Sequence, residues 1–276
     1  MDHDARVAAD QAFLGLEDLG GGRLRFEVVS QLSRGGDTRL YGGAAVALSV
    51  AAMASTTGRD PVWVTTQYVS TAMLGETVDL QVEVLAEGRR TSQVRATATT
   101  GEGVVFASLG ACGTLREDAM TGTFERCPQV TPPDEGTVIM RPQDDGIGWF
   151  HHADVRTAHI VDHPDEGDGR LCVWMRRRDG GPVTPAISAY LADLIPLSIP
   201  RGCGVLGAGT SIDNTIRIGA AGETEWILLD MRPNLAIGGY GHGIANVWTE
   251  DGQLLAVAAQ TASLFELPFD PLTPFG

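Results

Sequence analysis

Three polar residues stand where an internal repeat of this chain has none. Asp193 falls in an otherwise apolar segment, PAISAYLADLIPLS (185–198), whose counterpart in the first half, GGAAVALSVAAMAS (42–55), carries no charge. A gapless alignment of ANVWTEDGQLLAVAAQ (245–260) with ATATTGEGVVFASLGA (96–111) sets Gln260 against Ala111, and SIDNTIRI (211–218) over VWVTTQYV (62–69) sets Ser211 against Val62. Burying a carboxylate in apolar surroundings costs several kcal/mol unless hydrogen bonds compensate, so an idle acid at 193 is disfavoured. Partial burial also raises a carboxyl's pKa toward neutrality, where it can accept a proton from water. Ser211 and Gln260 taken singly are read as well by ordinary strand hydrogen bonding; the combination singles them out.

Other chemical candidates are weaker. His151 and His152 are adjacent, so on a strand they point to opposite faces and share no metal; a loop or surface role is expected. Gly238-Gly239-Tyr240-Gly241-His242-Gly243 lacks the Lys-Ser/Thr ending of a phosphate loop and reads as a strand start, where glycines permit close packing or a bulge. Ser188, Ser198 and Ser211 lack the Gly-x-Ser-x-Gly context of a nucleophile elbow. Cys112, Cys127, Cys172 and Cys203 form no Cys-x-x-Cys pair and read as reduced thiols, so neither a metal nor another cofactor is expected.

A formal charge of -15 argues against nucleic acid as a partner. An anionic small ligand remains open, because every basic residue is Arg, the side chain best shaped for bidentate phosphate contacts. Arg89-Arg90 and Arg176-Arg177-Arg178 are the candidates, with solvated strand ends or turns as the equal alternative. No apolar run approaches the roughly 20 residues of a membrane span, and Met-Asp-His-Asp-Ala-Arg lacks the order of a secretory signal, so a cytoplasmic location is expected.

The elements that must position these residues repeat. Each half has a strand (RLRFEVVS, 23–30; VRTAHIVD, 155–162), an apolar helix (42–55; 185–198) and four antiparallel strands, with RLCVWMRR (170–177) adding to the second half. Thr184 and Pro185 suit the N-cap and first position of the second helix, and Pro196 should end or kink it. A helix apolar nearly all round needs burial, and a curved antiparallel sheet wrapping it gives an α+β double hotdog. The expected organisation is one unit at 1–113, a Pro-rich linker at 114–145 and a second unit at 146–276.

On these residues the chain resembles the acyl-CoA thioesterase II family. The resemblance runs from Phe13-Leu14-Gly15-Leu16-Glu17 to Leu264 and includes Arg39-Leu40-Tyr41-Gly42-Gly43, Gly75-Glu76, Ala189-Tyr190-Leu191-Ala192-Asp193, Ser211-Ile212-Asp213-Asn214 and Trp248-Thr249-Glu250-Asp251-Gly252 through Gln260. It departs at Ala44, where the family has Gln, and at Asn214, where it has His. The resemblance implies hydrolysis of acyl-CoA by a water that Asp193 (on the second helix), Ser211 and Gln260 orient. Substrate contacts are expected at Tyr41, Gly42, Gly43, Arg89 and Arg90, and the oxyanion donor at a helix N-terminus that Gly42-Gly43 lets the substrate approach. Ala44, Ala45, Ala47, Ala51 and Ala52 suggest room for a bulky or medium-chain acyl group. A non-catalytic acyl-CoA binder would tolerate loss of Asp193, and a hotdog dehydratase would need a His that neither helix has. The fusion makes a monomer sufficient, with further homo-oligomers possible, and the tail FELPFDPLTPFG (265–276) is expected along the sheet or a partner subunit.

Overall fold

The computed structural model describes residues 1–116, 118–140, 146–161, 168–219 and 222–272. Its centre is α2 (Gly42–Thr57), in which every residue from Gly43 to Ala54 is buried. Such a helix has no solvent face, so protein must cover it on all sides. The alanines expected to leave room beside it leave none: Ala44, Ala45, Ala47, Ala51 and Ala52 are 0–1% exposed within the core.

The cover is one antiparallel sheet of thirteen strands. In the first half β1 (Glu17–Gly20), β2 (Arg23–Glu27), β3 (Asp60–Tyr68), β4 (Thr77–Glu87), β5 (Thr91–Thr100) and β6 (Gly103–Gly113) lie in the order β1-β2-β4-β5-β6-β3. The second half holds β7 (Val138–Ile139), β8 (Ala153–Thr157), β9 (Leu171–Arg177), β10 (Gly207–Ile218), β11 (Ile227–Ile237), β12 (Tyr240–Thr249) and β13 (Leu254–Glu266), and continues from β3 as β10-β13-β12-β11-β9-β8-β7. Apart from the outermost β7, the two orders are mirror images about the β3–β10 seam, where Thr65 pairs with Thr215 and their hydroxyls meet at 2.9 Å. The double hotdog expected from the repeat is thus the observed fold.

Its register corrects the sequence alignment by one residue. Thr65 faces Leu109 across β3–β6, and Thr215 faces Ala259 across β10–β13, so the internal two-fold equates Gln260 with Gly110 and Ser211 with Pro61, not with Ala111 and Val62. For Gln260 the reason lies in the hairpins. Thr100 pairs with Gly103 around a two-residue loop, whereas the Thr249 N–H reaches the Gln253 carbonyl around three residues, with Gly252 at φ 83. A three-residue hairpin loop takes a glycine at such a position, and a gapless alignment cannot register the insertion.

The order also reassigns the strands before the second helix. β9 is the counterpart of β2, while β8 takes the outer place of β1, so 170–177 and not 155–162 leads into that helix; residue 162 lies outside the described residues.

The second helix is shorter than expected. α3 (Pro185–Leu191) starts as predicted, with the Thr184 side chain accepting the Ile187 N–H, but stops before a turn at Ala192–Leu194, a 3-10 turn at Ile195–Leu197 and α4 (Ser198–Gly202). Pro196 accounts for this: its ring opposes the carbonyl four residues back, and it biases the preceding residue away from helix. Asp193 therefore sits on the turn after the helix, not on it.

An N-terminal helix, α1 (His3–Leu14), was not anticipated. Asp2 caps it, Asp10 accepts from the Thr184 hydroxyl at 2.5 Å, and Phe13 packs edge-on against Tyr190. Residues 127–139, within the expected linker, pack as structure: Val130 bridges Ile160, Thr131 accepts from the Trp174 indole at 2.7 Å, and β7 pairs with β8. They cover a small outer core of Trp174, Trp226, Leu228 and Trp248. Residues 117 and 141–145 of that stretch lie outside the described residues, as do 273–276 of the tail. Among the described residues no helix is long and apolar enough to cross a membrane.

Candidate active site

The turn after α3 delivers Asp193 to the start of α2, and the seam strands bring the other groups to it. Gln260 on β13 is fully buried and donates from Nε2 to Asp193 Oδ1 at 2.5 Å and to Ser211 Oγ at 2.6 Å. Asn214 on β10, buried and directly opposite Gln260, donates to the same Oδ1 at 2.9 Å. A bulge between Ser211 and Asp213 lets Ser211 and Asn214, three residues apart on one strand, serve one site. The internal two-fold has a matching bulge between Pro61 and Trp63, with no polar side chain at the positions equivalent to Ser211 and Gln260.

Burial pushes the Asp193 carboxyl up to about 6, against the opposing pull of hydrogen bonds from Gln260, Asn214 and the Gly43 backbone. That is the range for a base working near neutrality. The Gly43 N–H is thereby committed to the carboxylate. A Cβ on Gly42 would lie 2.5 Å from Asp193 Oδ2, and one on Gly43 would overlap the Tyr190 carbonyl, so the paired glycines let the helix start and the acid meet. Tyr68, at the end of β3, donates to the Gly42 carbonyl at 3.0 Å. Burial and the nearby carboxylate keep its phenol neutral, with a pKa far above its ordinary value.

Asp193, Ser211, Gly42 and Tyr68 open on a cavity of about 720 Å³. Tyr41 forms part of its wall, its ring stacked on Trp149 at 4.9 Å and edge-on to Tyr190, its hydroxyl buried without a hydrogen-bond partner among the described residues. Another wall is the C-terminal tail, through Phe265, Leu267 and Phe269, pinned where Asp270 accepts twice from Arg201 (2.6 and 2.7 Å).

The structure brings Asp193, Ser211, Gln260, Tyr41, Gly42 and Gly43 together. It does not bring Arg89 and Arg90, which lie at the exposed β4–β5 tip, beside the end of β6 that pairs with Asp60 and at the far end of β3 from Tyr68. Among the described residues the cations on the cavity are Arg34 and Arg39, which share Asp37 at 3.7 and 3.5 Å. Their place just before Tyr41-Gly42-Gly43 was the available signal. Arg176, Arg177 and Arg178 are structural, paired with Asp154, Glu225 and Asp179, and Arg177 lies over the Phe13 ring. His151 and His152 fall in and after a 3-10 turn, where His152 Nε2 meets Ser30 Oγ at 3.1 Å. Gly238 and Gly239 form the β11–β12 turn with positive φ, and Gly241 and Gly243 let Ile195, Ile199 and Leu264 pack close.

Two family profiles match the chain. An acyl-CoA thioesterase N-terminal domain covers residues 31–113, and an acyl-CoA thioesterase C-terminal domain covers residues 124–264. A candidate thioesterase from Novosphingobium aromaticivorans DSM 12444 is 33% identical with a TM-score of 0.81, over 90% of this chain and 97% of that one. The acyl-CoA thioesterase II TesB2 of Mycobacterium marinum is 21% identical with a TM-score of 0.73 (94% and 99%), and a hot dog fold protein of Alicyclobacillus acidocaldarius is 21% identical with a TM-score of 0.79 (95% and 98%). No curated protein matches the sequence. With both family domains in their proper order on a sheet that repeats about a two-fold seam, the chain belongs to the double hotdog acyl-CoA thioesterase family.

Proposed function

We propose that the protein hydrolyses acyl-CoA thioesters with a water activated by Asp193. The observation that carries this is the Gln260 amide, which holds the carboxylate and the Ser211 hydroxyl at 2.5 and 2.6 Å from one nitrogen. Gln260 therefore acts by fixing the two groups that face the cavity. Asp193 takes a proton from water while the Ser211 hydroxyl, already accepting from Gln260, helps hold that water.

The water oxygen bonds to the thioester carbonyl carbon as its proton passes to Asp193. Negative charge gathers on the carbonyl oxygen, where first-turn N–H groups of α2 other than that of Gly43, which serves Asp193, supply donors and the positive end of the helix dipole. Collapse breaks the C–S bond, and the leaving thiolate takes the proton from Asp193, giving free acid and thiol. No covalent acyl-enzyme forms.

Arg34 and Arg39 at the cavity suit the phosphates of the nucleotide, and the aromatic walls with about 720 Å³ suit a bulky or medium-chain acyl group. The test is thiol release from acyl-CoAs of graded length by the parent and Asp193→Asn. A loss of about 100-fold or more in the variant is expected for removal of a general base. Equal turnover by the two proteins, or an acyl group trapped on Ser211, would overturn the mechanism. Binding of acyl-CoA with no turnover by the parent would make the chain a carrier.

A further inference from the structure

A second cavity, of about 540 Å³, lies outside the site just described. It is formed by the start of β3 (Pro61, Val62), the end of β10 (Ile218), the start of α3 (Pro185, Ser188) and Leu115. The first cavity is formed by the start of β10 (Ala208 to Ser211), the end of β3 (Tyr68), the start of α2 (Tyr41, Gly42) and Phe265. Under the two-fold that equates Thr65 with Thr215, each of these elements exchanges with its counterpart, Leu115 with Phe265 included. The second cavity is therefore the internal mate of the first.

Its shape is kept while its chemistry is absent. Pro61 stands for Ser211, Gly110 for Gln260 and Val64 for Asn214, so the side chains that hold the Asp193 carboxylate and face the first cavity have no polar counterpart here. The acid that does line it, Asp60, is engaged by Arg6 at 2.6 Å and His3 at 3.0 Å. Glu223, also on the wall, is exposed to solvent.

The flanking hairpin tips differ in the opposite sense. Beside the first cavity the Leu264 N–H donates to the Gly239 carbonyl; at the equivalent place beside the second, the Thr114 N–H donates to the Arg90 carbonyl. The tip next to the apolar wall residue Leu115 thus carries Arg89 and Arg90, exposed and without an ion pair among the described residues, where the other tip carries only glycines.

We infer that this second cavity is a non-hydrolytic binding site for the same substrate class, an acyl-CoA, with the acyl chain along Pro61, Val62, Leu115 and Ile218 and the phosphates on Arg89 and Arg90. The identity of the ligand rests on the proposed function of the first site. Guanidinium groups at a tip beside an apolar groove match a ligand that is a phosphate cluster tied to an acyl chain.

The test is titration calorimetry with an S-alkyl-CoA, the thioether analogue that cannot be hydrolysed, alongside thiol release from the acyl-CoA. The parent is expected to bind two equivalents per chain. Val62→Trp, which fills the second cavity from a half-exposed strand position, should bind one and keep thiol release, and Arg89→Glu/Arg90→Glu, which changes two exposed side chains at a hairpin tip, should also lose one equivalent. One equivalent in the parent, or two in both variants, overturns the inference. Thiol release by a parent that binds a single equivalent leaves the hydrolase reading standing and sinks only the second site. Two equivalents without thiol release does the reverse.

Discussion

At the scale of single residues, the base proposed for the site, Asp193, carries a pH signature of its own. A base with a pKa of about 6 is protonated below that value, so kcat/KM is expected to fall as pH drops through about 6 and to be flat above it until another group titrates. The same shift fixes a sign for stability. Its folded pKa lies above the unfolded value, so the native state binds the proton more tightly, and stability is lost as pH rises through about 6. Asp193→Asn should therefore raise Tm relative to the parent more at pH 8 than at pH 4, a difference readable by calorimetry; an equal shift at both pH values would mean that the carboxylate is not destabilised by its surroundings. Gly42→Ala is the steric counterpart. Its methyl would press on Asp193 Oδ2 at 2.5 Å, and overpacking of this kind costs about 1–3 kcal/mol together with the geometry of the base, so thiol release should drop with the unfolding midpoint.

Elements in this molecule are tied by a few buried polar contacts. Asp230 on β11 is wholly buried and accepts from Arg170 at 2.8 and 3.1 Å and from Arg232 at 2.7 Å, which hold its carboxyl below the usual range despite burial. Here the sign reverses: the contribution is present above the unfolded pKa and lost as pH falls through the folded one. Removing the acid leaves two partly buried cations without it, so Asp230→Ala should cost about 3–5 kcal/mol in urea unfolding at pH 7; a cost under 1 kcal/mol would mean that the cluster is solvated. Thr184 works twice, capping α3 and donating to Asp10, whose carboxyl burial pushes up to about 6. The sequence showed the cap and the proline that ends the helix. It did not show α1, whose reason for forming is the surface of α3 and Tyr190 that only the assembled molecule presents.

The whole molecule is two copies of one plan joined at β3–β10, and each half has its helix covered partly by the other. Residues 1–113 alone would leave the β3 edge and one side of α2 uncovered. Because the seam is self-complementary by the two-fold, that fragment is expected to dimerise through β3, as a light-scattering mass of twice the fragment would show; a stable monomer would mean that the seam adds nothing to folding. Fusion also frees the two clefts to diverge, since a substitution in one half is not repeated in the other. Polar groups gather in one cleft, and an arginine tip flanks its mate.

The sequence by itself determined the repeated order of strand, helix and four strands, the cap and stop of the second helix, and the identity of Asp193, Ser211 and Gln260 as the polar exceptions. Each of these is written in local periodicity, in turn residues or in a comparison of one half with the other. Tertiary structure alone decided that Asn214 joins the set, that Gly43 is the backbone donor to the acid, and that Arg34, Arg39 and the tail bound the cavity while Arg89 and Arg90 lie at the other end of the sheet. Those facts depend on strand register, on a bulge and on one extra residue in a hairpin loop. A shift of a single residue turns a side chain to the opposite face of a sheet, and local sequence carries no measure of where a neighbouring strand will set that count.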